Sequence, residues 1–200
     1  MAMMLKSSEV ALIRKAKAGD GKAIEGLIRA HQDALFAFML RMSGRPDVAE
    51  DIVQEAFVRV LKNLDRFDSR FRFSTWLFTI AKRLYVNAMQ KHRPMYDSDM
   101  VGERQGDSGW LGPPDQRTLR DETMKNARDI IDFALAELGS LQREIILLFH
   151  QQNWPITEIS VYLDMPEGTV KSHLHRARKR MKQAIESSQL MNQQVQEVWA

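Results

Sequence analysis

Apolar positions along this chain recur every three to four residues, the period of a helix that buries one stripe. Nowhere do β-branched and polar residues alternate over the length of a strand, so no sheet is expected. Residues 8–18 and 20–42 predict two helices broken at "GDG", and "SGRPD" predicts a turn. Residues 47–64, "DVAEDIVQEAFVRVLKNL", place Val48, Ile52, Ala56 and Val60 on one stripe, widened by Val53, Phe57, Leu61 and Leu64. Asp47 is the expected cap, and Glu50 and Asp51 suit the positive end of the helix dipole. After the loop "DRFDSRFRF", residues 74–92 predict another helix, with Ser74 as its cap.

The pattern stops at Pro94. Residues 95–116, "MYDSDMVGERQGDSGWLGPPDQ", hold five acids, one Arg, four Gly and two Pro, with no apolar period. Such a stretch reads as a flexible acidic linker. Periodicity resumes near Thr118, with helices expected over 121–138 and 140–151. A short helix with Ile156, Ile159 and Leu163 on one face follows, then the turn "DMPEG". A longer helix comes next, with Thr169 as its expected cap and Val170, Leu174, Ala177 and Met181 facing inward. Short helix, tight turn, longer helix is the pattern of a helix-turn-helix. The expected fold is all-α: two small helical domains over 1–93 and 121–186, a linker over 94–120, and a tail over 187–200.

Composition narrows the classes. Hydrophobic residues make up 44% of the 200 and charged ones 28%, as in a globular chain. There is no Cys, which excludes disulfides and thiolate metal sites and suits a reducing compartment. The first twenty residues lack the apolar core of a signal peptide. The longest apolar run, "ALFAFML", is seven residues, far short of a membrane span. A cytoplasmic protein without membrane insertion is expected. The formal net charge is only +3, so a polyanionic partner requires that the positive charge be concentrated somewhere.

It is concentrated in the last helix. "MPEGTVKSHLHRARKRMK", residues 165–182, carries eight basic or imidazole side chains and one acid, Glu167. Lys171, His175, Arg178 and Lys182 fall on one face, with Ser172, Arg176 and Lys179 beside it. A solvated helix face interleaves acids at i,i+4, and none occurs between Glu167 and Glu186. The N-terminal part of such a helix meets base edges in a major groove, so duplex DNA is the expected partner. His173 and His175 point in different directions and do not chelate, and no metal or cofactor is expected.

In the first domain, Asp51, Gln54 and Glu55 form a polar side on an otherwise apolar helix, a face suited to a basic partner or to plain solvation. Beyond it, Arg66, Arg70, Arg72, Lys82, Arg83, Lys91 and Arg93 interleave with Phe67, Phe71, Phe73, Trp76, Phe78 and Tyr85. Cations supply charge for phosphates, and aromatic faces accept splayed bases, as single-stranded nucleic acid requires. Phe67, Phe73, Leu77 and Ile80 are expected in the core instead.

The order "DVAEDIVQEAFVRVLKNLDRF", "FSTWLFTIAKR", acidic linker, "LDMPEGTVKSHLHRARKRMK" resembles the bacterial sigma factors over roughly residues 8–185. It is most similar to the compact extracytoplasmic-function (ECF) group, a group tied to stress responses, which keeps only regions two and four. The resemblance implies a transcription initiation factor that is not an enzyme. Its partners would be core RNA polymerase (the β′ coiled coil and the β flap), promoter DNA and an anti-sigma factor. It implies polymerase docking at Asp51, Gln54 and Glu55. It implies capture of the melted minus-10 strand by Arg66, Arg70, Phe71, Arg72, Trp76, Lys82, Arg83 and Asn87. It implies minus-35 recognition by Thr169, Lys171, Ser172, His175, Arg176 and Lys179. Promoter elements two helical turns apart are separated by about 70 Å, and a linker of about 27 residues reaches roughly 90 Å.

The sequence departs from the family pattern at three places. Pro155 stands where a Ser or Thr cap is usual, Arg83 where many members have Asn in a pocket for a flipped base, and the tail "SSQLMNQQVQEVWA" matches nothing. The competing readings are a two-domain repressor or activator binding duplex DNA alone, and a helical RNA-binding protein. An enzyme is disfavoured, because there is no Gly-rich phosphate loop and no nucleophile–base pair.

Overall fold

The structure is a computed structural model and describes residues 6–91 and 121–188. The expected linker over 94–120 therefore lies outside the described residues, as does the tail beyond Ser188. All regular structure among the described residues is helical, in two compact units.

The first unit is built on α1 (Lys6–Lys17), α2 (Gly21–Ser43), α3 (Pro46–Lys62) and α4 (Phe73–Lys91), with one 3-10 turn at Leu64–Arg66. The break between α1 and α2 is made by two residues. Gly19 takes φ +83°, and the Asp20 amide reaches back 3.1 Å to the Lys15 carbonyl, closing α1. The Asp20 carboxylate then accepts the Lys22 and Ala23 amides at 2.9 and 3.2 Å, capping α2. The α3 stripe is buried as its period requires: Val48, Ile52, Val53, Ala56, Phe57 and Val60 all face the core. The same unit also buries Phe38 and Phe78, with ring centres 5.1 Å apart, and Leu27, Leu35, Phe73 and Leu77. Two expected caps are displaced. α3 starts at Pro46, whose fixed φ and missing N–H suit a first helical position, so Asp47 lies inside the first turn. α4 starts at Phe73, which puts Ser74 inside its first turn too.

The second unit holds α5 (Asp121–Ala136), α6 (Ser140–Ile146), α7 (Ile156–Leu163) and α8 (Glu167–Ser187). The single helix expected over 140–151 changes to a π turn at Leu147–Gln151. The Gln152 amide bonds the Leu147 carbonyl at 3.1 Å, and Asn153 takes φ +54°. This widened turn brings Trp154 into the core, where its ring meets Tyr162 edge-on at 5.4 Å. The Tyr162 hydroxyl donates to Glu144 Oε1 at 2.9 Å. Burial, and then the Glu144 charge, push that phenol well above its usual range. Arg143 is buried and donates to the carbonyls of Leu135, Ala136 and Leu138 at 3.0, 3.3 and 3.2 Å. It thereby satisfies the orphan acceptors at the end of α5.

The turn between α7 and α8 differs from its sequence reading. Asp164 takes the left-handed conformation, φ +51°, and Gly168 lies within α8. The Met165 amide bonds the Ser160 carbonyl at 3.0 Å, and the Ser160 hydroxyl donates to the Met165 carbonyl at 2.6 Å. Short polar Asp tolerates this conformation better than most residues. α8 begins at Glu167 after Pro166, so Thr169 is no cap; its amide bonds the Pro166 carbonyl at 2.9 Å. Pro155 serves as the residue before α7 with its carbonyl alone, accepting the Glu158 and Ile159 amides.

Candidate polymerase and nucleic-acid interfaces

On α3 the side opposite the buried stripe presents Asp51, Gln54 and Glu55, all exposed. They are not equivalent. Glu55 accepts Arg59 Nε at 2.6 Å, one helical turn on. Asp51 makes no ion pair among the described residues. A basic partner would meet Asp51 directly and would compete with Arg59 for Glu55.

The loop after α3 is held from a distance. Lys17 Nζ donates to the carbonyls of Phe67 and Asp65 at 3.0 and 3.3 Å and stands 6.0 Å from the centre of the Phe67 ring. At the tip, Phe71 is 54% exposed, a large apolar surface left in water. Arg66 is exposed as well. Arg70 is exposed but tied to Asp68: its amide meets Oδ1 at 3.0 Å, and its guanidinium meets Oδ2 at 2.8 and 2.6 Å. These bonds hold the Asp68 carboxyl below its usual range. Trp76 is only part-exposed. Its ring lies 5.3 Å from Phe67 and 6.0 Å from Phe73, so its inner side belongs to an aromatic cluster and its outer side remains for a ligand. Along α4, Trp76, Arg83 and Asn87 follow one face at helical spacing, with Arg72 just before the helix. Lys82 points more than a quarter turn away from that face and is half-buried.

On α8, Val170, Leu174 and Ala177 are buried, and the opposite side presents Lys171, Ser172, His175, Arg176 and Lys179. Thr169 is half-buried at the margin. Lys171, Ser172, His175 and Arg176 line one shallow depression. The acids flanking the cationic stretch pair loosely with its ends: Lys171 with Glu167 at 3.9 Å and Lys182 with Glu186 at 3.6 Å. Between them, His175, Arg176 and Lys179 make no ion pair among the described residues. The Ser172 hydroxyl donates to the Gly168 carbonyl at 2.9 Å. Arg178, which the helical wheel puts on the cationic face, is exposed as expected, but its guanidinium is engaged at the surface. It meets His150 Nε2 at 3.1 and 3.2 Å and lies 5.3 Å from the centre of the Phe149 ring. His150 must accept there, so its neutral form is favoured; burial first, and then the Arg178 charge, lower its pKa.

Among the described residues, no group of His, Asp or Glu is close enough to hold a metal ion, and no helix is long and apolar enough to cross a membrane.

Helices alone, a helix-turn-helix with a cationic outer face, and an aromatic–basic loop define the class as a bipartite DNA-binding protein of transcription. Residues 27–94 match the family model for sigma-70 region 2, and residues 128–181 match that for sigma-70, region 4. The chain is 30% identical over 189 residues to the ECF RNA polymerase sigma factor SigW of Bacillus subtilis, covering 92% of this chain and 98% of that one. It is 30% identical over 175 residues to the ECF RNA polymerase sigma-E factor of Escherichia coli K12, covering 84% and 89%. The fold is that of the solved structure of CnrH in complex with the cytosolic domain of CnrY (TM-score 0.67, 19% identity, 90% and 99% covered). It is also that of sigma factor RpoE in complex with the anti-sigma factor NepR from Bartonella quintana (TM-score 0.61, 24% identity, 84% and 99% covered). The chain belongs to the ECF RNA polymerase sigma factors. It is a transcription initiation factor that binds core RNA polymerase and directs it to promoter DNA, which displaces the reading as a self-sufficient duplex-binding regulator.

Proposed function

We propose a division of labour between the two units, over residues 1–93 and 121–186, joined by a linker over 94–120. The outer face of α8 reads the minus-35 element through Lys171, Ser172, His175, Arg176 and Lys179, with Thr169 at its edge. Arg66, Phe71, Arg72, the outer side of Trp76, Arg83 and Asn87 take the melted minus-10 strand, with Arg70 joining once it leaves Asp68. Lys82, off the common face, serves the backbone of that strand rather than its bases. Asp51, Gln54 and Glu55 dock on the polymerase β′ coiled coil, and the second unit meets the β flap. The observation that carries this reading is the cationic centre of α8, free of acids on its exposed face while Val170, Leu174 and Ala177 opposite are buried and Met181 is half-buried.

The protein acts in the cytoplasm as a non-catalytic subunit, without a cofactor. By likeness to relatives solved with CnrY and NepR, its activity is checked by an anti-sigma partner. Promoter selection from a library randomised at both elements tests the assignment. Arg176→Ala should relax preference at one minus-35 position, at a cost of about 1–3 kcal/mol for the preferred base. Unchanged yield and unchanged preference in Arg176→Ala and Lys171→Ala together would remove α8 from recognition.

A further inference from the structure

Lys17 is the last residue of α1, yet its ammonium serves a loop about fifty residues further on. Its bonds to the Asp65 and Phe67 carbonyls span 48 and 50 residues of sequence. The helix that carries it is firmly seated. Ile13 and Ala16 are each 4% exposed, and Glu9 Oε1 lies 3.0 Å from His31 Nε2 on α2. Leu12 packs so close to Gly26 that an added Cβ would meet it at 3.4 Å. The loop, in contrast, is anchored by one buried ring, Phe67 against Phe73 and Trp76, and by few hydrogen bonds. The other hydrogen bonds of residues 65–71 run to partners no more than three residues away, such as Phe67 to Leu64 and Phe71 to Asp68. Among the described residues, only Lys17 ties the backbone of this loop by hydrogen bonds to another element.

The tie reaches further through Phe67. That ring lies under the Lys17 ammonium and against Trp76, whose outer side shares a face with Arg83 and Asn87. Two donors of one ammonium therefore fix the backbone that presents Arg66, Arg70 and Phe71, and also the ring that backs Trp76. Because those donors point at protein carbonyls, Lys17 is not placed as a phosphate contact. It also lies outside the region-two match, which begins at residue 27.

We propose that Lys17 is a positioning residue for promoter opening, holding the aromatic–basic loop and Trp76 in the arrangement that receives the unpaired strand. The inference rests on the reading of that loop as the minus-10 surface. A loop ordered beforehand gives up less conformational freedom when a strand arrives, so affinity for the strand rises without a new contact.

The test uses the full chain reconstituted with core polymerase, as wild type, Lys17→Met, Lys17→Arg and Phe71→Ala. Permanganate reactivity of minus-10 thymines reports opening at several salt concentrations, and amide exchange of the free chain reports loop order. Lys17→Met should lower opening by about fivefold, the scale of losing one or two modest hydrogen bonds. It should speed exchange at residues 65–71 and leave polymerase affinity and salt dependence unchanged. Lys17→Arg, which keeps charge and donors, should restore most of the opening. Normal opening by Lys17→Met beside defective Phe71→Ala would overturn the role of Lys17 alone. Normal opening by Phe71→Ala would sink the reading of the loop, and the role of Lys17 with it. Faster exchange throughout α1–α4 in Lys17→Met would make the residue merely structural. A salt slope reduced by about one would make it a phosphate contact. Either result refutes the proposal.

Discussion

Charge reversal on α3 separates docking from folding, provided the right acid is chosen. Glu55 is the poorer choice because it holds Arg59 at 2.6 Å. Glu55→Arg would turn an attractive i,i+4 pair, worth about 0.2–0.5 kcal/mol, into a repulsive one of similar size. The helix would then weaken by up to about 1 kcal/mol, only partly offset by Asp51 one turn earlier. Asp51 has no such partner among the described residues. Asp51→Arg would share Glu55 with Arg59, so α3 should keep its stability or gain a few tenths of a kcal/mol. Against a basic coiled coil, however, the reversed charge meets like charge, which costs several kcal/mol. Taking about 2–3 kcal/mol, the dissociation constant for core polymerase should rise roughly 30- to 150-fold. Fluorescence anisotropy of the labelled chain titrated with core polymerase measures this, with thermal melting by circular dichroism in parallel. An Asp51→Arg chain with unchanged Tm and a Kd within about threefold of wild type would refute the docking assignment.

Arg143→Met should lower the stability of the second unit by about 3 kcal/mol, because a buried charged donor to three carbonyls is lost; urea unfolding of the full chain checks this. The pKa values of His150 and His173 are both lowered from 6.5 by burial and then by Arg178 and Arg176, so the unfolded chain binds more protons below that pH. Their contribution is thus intact above pH 6.5 and is lost as pH falls through the lowered folded values. His150→Gln should flatten the dependence of the urea midpoint on pH between neutrality and mild acid. Arg83→Asn should change the preferred minus-10 bases, because Arg donates only whereas Asn both donates and accepts. An unchanged preference in a randomised-promoter selection would reduce Arg83 to a phosphate contact.

The helices themselves were written in the apolar period. The stripe Val48–Ile52–Ala56–Val60 and the trio Val170, Leu174 and Ala177 are buried where the pattern puts them, because burial on a helix is a local function of spacing. The concentration of cations on α8 was equally legible, since it needs no partner. What the pattern left open was where long side chains end. Arg178 reads as a free DNA-facing cation by its angle on the wheel, yet, though exposed, it lies against Phe149 and His150, 29 and 28 residues earlier in the chain. Arg70 reads as a phosphate contact and is tied to Asp68, and Trp76 is half-consumed by Phe67 and Phe73. Helix starts moved to Pro46 and to Glu167 after Pro166, because the fixed φ of proline suits the entry to a helix. Lys17 and Arg143 left no mark in any motif. Their targets are backbone carbonyls, which every sequence carries, and only the packing of α1 and the end of α5 decides which of those carbonyls lies within reach of a charged donor.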